Sequence, residues 1–283
     1  MNNHHKESLY SLENMEKNRR DDEGRIVVAE GVRTSACLIA LRQEIWSVLF
    51  YHRPFRLPLA MHMNWENLTP TDDFTWTNRI ILWCADVLRF CFGSHTATTP
   101  ASGDQRSSLE RWQALKVFDD QWRVNPPPWF QPLYYAAPDP VNGIHIPVIW
   151  QTSDAHILAM QHLELGRMLL AVYDPRRQRV GIGSTAANRA LEHQLRDSIL
   201  YLCGLGLANK HFQAGMCTGA IGISVGGECL HRVEEREAIV DFLRILEEEH
   251  AWPTKSVVAA LRDAWGLQRM QRKLPSMSGP ASV

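Results

Sequence analysis

The stretch Glu234-Glu235-Arg236-Glu237-Ala238-Ile239-Val240-Asp241-Phe242-Leu243-Arg244-Ile245-Leu246-Glu247-Glu248-Glu249 decides the fold class. Ile239, Phe242, Leu243 and Leu246 recur at i, i+3, i+4 and i+7, which gathers them on one helical face, and charged residues fill much of the rest. The same rhythm recurs on both sides of it. Cys37, Leu38, Leu41, Ile45, Val48 and Leu49 form one stripe between Ile26 and Phe50, and Arg53-Pro54 and Leu57-Pro58 stop that helix. Trp76, Ile80, Trp83 and Val87 predict a helix over residues 73–92, with Gly93 as its end cap. Leu109, Trp112, Leu115, Phe118 and Trp122 mark another, ended by Pro126-Pro127-Pro128. Ser153 is a natural cap for a helix over residues 154–173, which Asp174-Pro175 closes. Helices are also expected over residues 187–209, 214–228 and 254–265.

Strand-like alternation is confined to Ile144 through Trp150. The segment from Trp129 to Ile149, with Pro132, Pro138, Pro140 and Pro147, is too long and too rich in proline for a simple connection, and reads as a packed functional loop or flap. Thr96 to Ser107 reads as a polar loop. Residues 1–25 carry mixed charge and few large apolar groups, which predicts a flexible lead-in. Residues 267–283 read as a disordered tail. The expectation is an all-α fold: a single multi-helix domain over residues 26–266 with a Pro-rich irregular insertion.

Composition sets the outer bounds. A chain of 283 residues with 45% hydrophobic and 22% charged side chains can bury a sizeable core. A net charge of −1 disfavours non-specific nucleic-acid binding, which needs an excess of Lys and Arg to displace counterions. The polar start carries no secretory signal, and no apolar run is long enough to cross a bilayer, so an intracellular soluble protein without membrane contact is expected. Ten tryptophans predict a large aromatic core or an aromatic-lined cavity.

None of the chemical motifs is complete. His156 and His162 flank Glu164, but a two-His helical site needs a spacing of three or four, and six turns the imidazoles about 120° apart. His4-His5 sits in the charged lead-in. Arg176, Arg177 and Arg179 precede Gly181 and Gly183, a combination that could cradle phosphate, yet no Gly-Lys-Ser/Thr follows and a solvated loop is expected. Gly204, Gly206, Gly215, Gly219, Gly222, Gly226 and Gly227 fall within or between helices rather than after a strand, so they suit close helix packing rather than a dinucleotide. Ser184, Ser198 and Ser224 lack a nucleophile elbow. The acid pair Glu234-Glu235 and the run Glu247-Glu248-Glu249 read as solvent faces. Cys37, Cys84, Cys91, Cys203, Cys217 and Cys229 are scattered and read as free, buried thiols. No catalytic, cofactor-binding or metal-ligating residue is assigned, and no enzyme activity is expected.

Several segments, in order, resemble the helical regulatory domain of fungal binuclear zinc-cluster transcription factors. They are Arg42-Gln43-Glu44-Ile45 with Arg53-Pro54-Phe55-Arg56-Leu57-Pro58, and Glu164-Leu165-Gly166-Arg167 through Tyr173-Asp174-Pro175. Further on come Leu202-Cys203-Gly204-Leu205-Gly206-Leu207-Ala208-Asn209, Glu235-Arg236, and Trp252-Pro253-Thr254 with Leu261, Trp265 and Gly266. The likeness covers roughly residues 35 to 266. It implies control of RNA polymerase II transcription in the nucleus, through protein partners, self-association or ligand sensing; cytoplasm is the alternative location. Such factors carry a Cys-x2-Cys-x6-Cys cluster that this chain lacks, so zinc and direct DNA binding would require a cluster upstream of Met1. The alternative expectation is a helical small-molecule-binding protein or an unrecognised enzyme, on the strength of the Trp- and Pro-rich segment. Physically, Arg42 and Glu44 suit ion pairs, and Trp252 and Trp265 suit anchors for the last helix.

Overall fold

The computed structural model describes residues 27–57, 65–93 and 107–273, with side chains described for residues 35–266 of these. The expectations for residues 1–25, for most of the 96–107 loop and for residues 274–283 lie outside the described residues. The described chain forms eight α-helices: α1 (Val27–Tyr51), α2 (Asp73–Phe92), α3 (Ser108–Val124), α4 (Asp154–Val172), α5 (Ser184–Ala208), α6 (Gln213–Gly226), α7 (Val233–His250) and α8 (Lys255–Lys273). A two-stranded sheet, β1 (Tyr134–Ala136) and β2 (Val148–Trp150), and three short 3₁₀ turns complete it. The class is all-α.

Where the pattern over 26–266 reads as one domain, the contacts group the chain into two compact units. One takes in residues up to Phe130 together with Leu158–Arg177; the other holds Gln131–Ile157 and everything from Gln178. Helix α4 contributes to both, which a pattern read along the chain does not reveal.

In the first unit, the helix ends follow from local chemistry. Asp72 is extended (φ −71°, ψ 166°), and its Oδ1 accepts from the Thr75 amide at 3.0 Å, satisfying a donor that the first turn of α2 leaves open. Ser107 and Glu110 form a reciprocal capping box at the start of α3. Gly93 follows α2 but is not a left-handed cap: its φ of −63° and ψ of 143° are extended, and a Cβ there would lie 2.4 Å from the Arg89 carbonyl oxygen. Proximity rather than handedness therefore calls for glycine. The core centres on Trp83, which is fully buried, donates from Nε1 to the Leu115 carbonyl at 2.9 Å and stacks on Phe118 with ring centroids 5.3 Å apart.

In the second unit, β1 and β2 pair antiparallel with Tyr134 opposite Trp150, Tyr135 opposite Ile149 and Ala136 opposite Val148. Strand β1 was not expected, because Tyr134 and Tyr135 are both exposed and no alternation marks it. Ile149 is buried, and its carbonyl accepts from Asn209 Nδ2 at 2.9 Å, which ties the end of α5 to β2. The glycine-rich segment packs as expected. A Cβ on Gly222 would meet Leu202 of α5 at 2.3 Å, and one on Gly219 would meet Phe242 of α7 at 2.6 Å.

Helix α8 runs to Lys273, so residues 267–273 are helical rather than part of a disordered tail. Thr254 starts this helix: its Oγ1 donates to Glu247 Oε2 at 2.7 Å, and its carbonyl accepts from the Val258 amide. Trp265 is 7% exposed, donates from Nε1 to the Gly227 carbonyl at 3.2 Å and carries the Arg236 guanidinium over its ring at 5.1 Å. Trp265→Ala is expected to lower unfolding free energy by about 3–5 kcal/mol, read from urea denaturation. Trp252 is only half-buried, so Trp252→Ala is expected to cost clearly less.

Candidate functional site

The histidines that head the metal candidates are built into the helix they sit on. His156 is 2% exposed, and its Nδ1 lies 2.7 Å from the Thr152 hydroxyl. His162 is fully buried, with Nδ1 donating to the Leu158 carbonyl at 2.7 Å. Glu164 accepts from Arg167 Nη1 at 3.2 Å. Among the described residues, no three or more His, Cys, Asp or Glu side chains are placed to hold a metal ion. Burial pushes the His162 imidazole down to about 4, with the Arg42 charge adding to it and the Leu158 bond opposing. The folded value lies below the ordinary 6.5, so as pH falls the unfolded chain takes its proton first. Stability held above pH 6.5 should therefore drain away toward pH 4, by about 3 kcal/mol. Urea denaturation at the two pH values measures the drop, and His162→Leu should remove that share of it.

The phosphate candidate separates into committed parts. Arg176 grips Asp174 with Nε at 3.0 Å and Nη2 at 2.9 Å, and its guanidinium stacks 4.1 Å from the Trp112 ring centre. Gly181 and Gly183 take left-handed conformations (φ 98° and 97°), and the Ser184 hydroxyl donates to the Gly181 carbonyl at 2.8 Å. Val180 and Ile182 stand in solvent around them. Gly204 and Gly206 lie inside α5, and Gly215, Gly219, Gly222 and Gly226 inside α6, with no strand leading into either helix. Ser224 donates to the Ile221 carbonyl at 2.7 Å, and Ser198 is buried. None of the six cysteines is in a disulfide; Cys84, Cys203 and Cys217 are buried as expected, whereas Cys37, Cys91 and Cys229 are only half-buried, and burial pushes Cys84 and Cys203 well above the ordinary thiol range, away from nucleophilic reactivity.

Three charged clusters are more organised than the sequence suggested. Glu44 is 5% exposed and takes both arms of Arg53, at 2.9 and 2.5 Å, while its Oε1 also accepts from the Arg56 amide at 2.9 Å. Asp119 is 1% exposed and bonds Arg167 Nε at 2.5 Å, Lys116 at 2.7 Å and Arg123 at 3.2 Å. Glu235 corrects an expectation. Read as part of a solvent face, it is 2% exposed and accepts from Arg196 at 2.9 and 2.5 Å. Its neighbour Glu234 is exposed, so one turn of α7 splits the acid pair between two environments.

The concave site of the first unit lies where α2, the end of α3 and the Pro126-Pro127-Pro128 run meet. It encloses about 760 Å³ and is walled by Trp76, Trp122, Trp129, Val117, Val124 and the three prolines. Trp76 and Trp122 meet edge to face at 5.4 Å, and Trp122 meets Phe130 the same way at 5.3 Å. Arg79 lies 5.0 Å from the Trp76 ring centre and is itself held by the Thr69 carbonyl at 2.7 Å. These contacts fix the two buried rings, while Trp129 is 45% exposed and Val124 86%. The sequence pointed to the Trp- and Pro-rich stretch as a packed loop. Only its first residue, Trp129, lines this cleft, together with the Pro126-Pro127-Pro128 run that ends the preceding helix, whereas Leu133 through Trp150 belong to the hairpin of the other unit. From its spacing Trp76 reads only as core, and nothing there joins it to the proline run.

Compared with known proteins, the chain matches no protein family, no curated protein and no solved structure.

Proposed function

We propose that the chain is a regulatory domain of the fungal zinc-cluster transcription-factor type, which modulates RNA polymerase II transcription in the nucleus through a protein partner, self-association or ligand sensing. The supporting observation is the Glu44 clamp. Arg42-Gln43-Glu44-Ile45 and Arg53-Pro54-Phe55-Arg56, the first carriers of the resemblance, meet in one bonded unit, with Glu44 holding the Arg53 side chain and the Arg56 amide. Motif residues that frame a helical scaffold fit a domain that acts by presenting surfaces rather than by bond-making chemistry. Contact with DNA then runs through a partner or a separate zinc module. The test is to tether the full chain to a heterologous DNA-binding domain upstream of a reporter. A several-fold change in either direction is expected; an unchanged reporter together with no captured partner would overturn the proposal. A second reading, a helical small-molecule-binding protein, draws on the aromatic cleft of the first unit. No helix among the described residues is long and apolar enough to cross a membrane, in keeping with action away from the bilayer.

A further inference from the structure

We infer that the cleft of the first unit is a binding site for a neutral, planar, largely apolar small molecule that carries a hydrogen-bond acceptor. The inference deepens the ligand-sensing arm of the function proposed above. Its volume of about 760 Å³ falls in the range of small-molecule sites, and rings and aliphatic groups dominate its wall. The half-exposed indole of Trp129 offers a face for a flat ligand, and the nearly buried rings of Trp76 and Trp122, fixed by edge-to-face contacts, back the wall beside it. The polar groups Asp120, Gln121 and Asn125 are exposed at its rim. Asp120 is neutralised by Lys116 Nζ at 2.5 Å, so the rim offers no uncommitted charge to select an ion.

A second observation gives the ligand its one polar requirement. Trp76 is 5% exposed, and its Nε1, sealed from water, donates to nothing. A buried donor without an acceptor is costly, and a ligand oxygen or ring nitrogen that displaced the side chains covering it at the cleft wall would recover that cost. Trp83, Trp112 and Trp265 each place their Nε1 on a backbone carbonyl, at 2.9, 2.9 and 3.2 Å, which Trp76 does not. An extended peptide suits the site less well. It brings a carbonyl with every residue, and the wall of three prolines has no N–H to meet them.

The probe is Prodan, an uncharged naphthyl ketone whose emission shifts to the blue in apolar surroundings, titrated into the full chain. Saturable one-to-one binding is expected, with movement of the Trp76 indole N–H signal in nitrogen-15 spectra, assigned by its disappearance in Trp76→Phe. Val117→Arg and Val124→Arg replace exposed wall residues, so the fold should persist by circular dichroism while Prodan affinity falls about tenfold or more. Val141→Arg, at a 94% exposed position of the other unit, should bind as the parent does. The inference is overturned if Prodan does not saturate, or if its binding survives both wall variants. It is equally overturned if a polyproline peptide moves the Trp76 signal and Prodan does not, which would make the cleft a peptide groove. Binding is read without transcription, so a silent reporter together with no captured partner would sink the regulatory proposal and leave this result standing.

Discussion

Trp83→Ala is expected to lower the unfolding free energy by about 3–5 kcal/mol. Three contributions converge on this ring. Its complete burial means that truncation leaves a cavity in a close-packed interior. Loss of its Nε1 removes the donor to the Leu115 carbonyl, and loss of the ring removes the stack on Phe118. The opposite wall tests whether shape rather than hydrophobicity alone is at stake. Gly166 lies against the benzo edge of Trp83, and a Cβ there would stand 2.3 Å from Cζ3 and 2.7 Å from Cη2. Gly166→Ala should therefore cost about 1–3 kcal/mol through overpacking. In a Trp83→Phe background, whose smaller ring withdraws from that edge, the same substitution should cost much less. Urea denaturation of the four proteins in this cycle measures the coupling. Penalties additive to within about 0.5 kcal/mol would show that Gly166 and Trp83 do not confront each other as described.

The same pair shows how far a sequence can be read. Trp76, Ile80, Trp83 and Val87 mark α2 because burial on one face repeats every three or four residues, and local period is what a sequence carries plainly. That Trp83 needs glycine at 166 is a contact between elements far apart in the chain, and no local signal announces it. The split of the Trp- and Pro-rich segment is hidden for the same reason. Trp129 and Phe130 stay with Trp76 in the first unit, while the residues from Gln131 on enter the second and form a hairpin whose β1 carries two exposed tyrosines. Glu235 reads as a solvent residue because its neighbours are charged. Its partner Arg196 comes from another helix, and a buried acid is indistinguishable from a surface one until that partner is placed. Candidate-site residues chosen by motif, such as His156, His162 and the glycines, turn out to hold the frame together, whereas the cleft arises from side chains with no motif at all.

Asp119→Ala is expected to cost about 3–5 kcal/mol as well, for an electrostatic reason. Asp119 is the buried acceptor for Arg167, whose own side chain is only 14% exposed. Removing the carboxylate leaves that guanidinium with Glu164 alone, in surroundings that solvate a cation poorly. Burial pushes the Asp119 carboxyl up, but Arg167 and Lys116 together more than offset it, and the net value lies below the usual carboxylate range. A depressed folded value means that the stabilisation is fully present above the unfolded value of about 4 and is lost as pH falls through the folded one. The variant should accordingly lose its largest margin near neutral pH and converge on the parent in strong acid. Asp119→Leu combined with Arg167→Met separates pairing from packing. If the cost of the single substitution comes from stranding the cation, the double variant should recover much of the loss, since an apolar pair of similar volume needs no compensation. A double variant as weak as the sum of the singles would instead mean that Lys116 and Arg123, which also bind Asp119, carry the cluster's contribution, and that Arg167 serves mainly as packing.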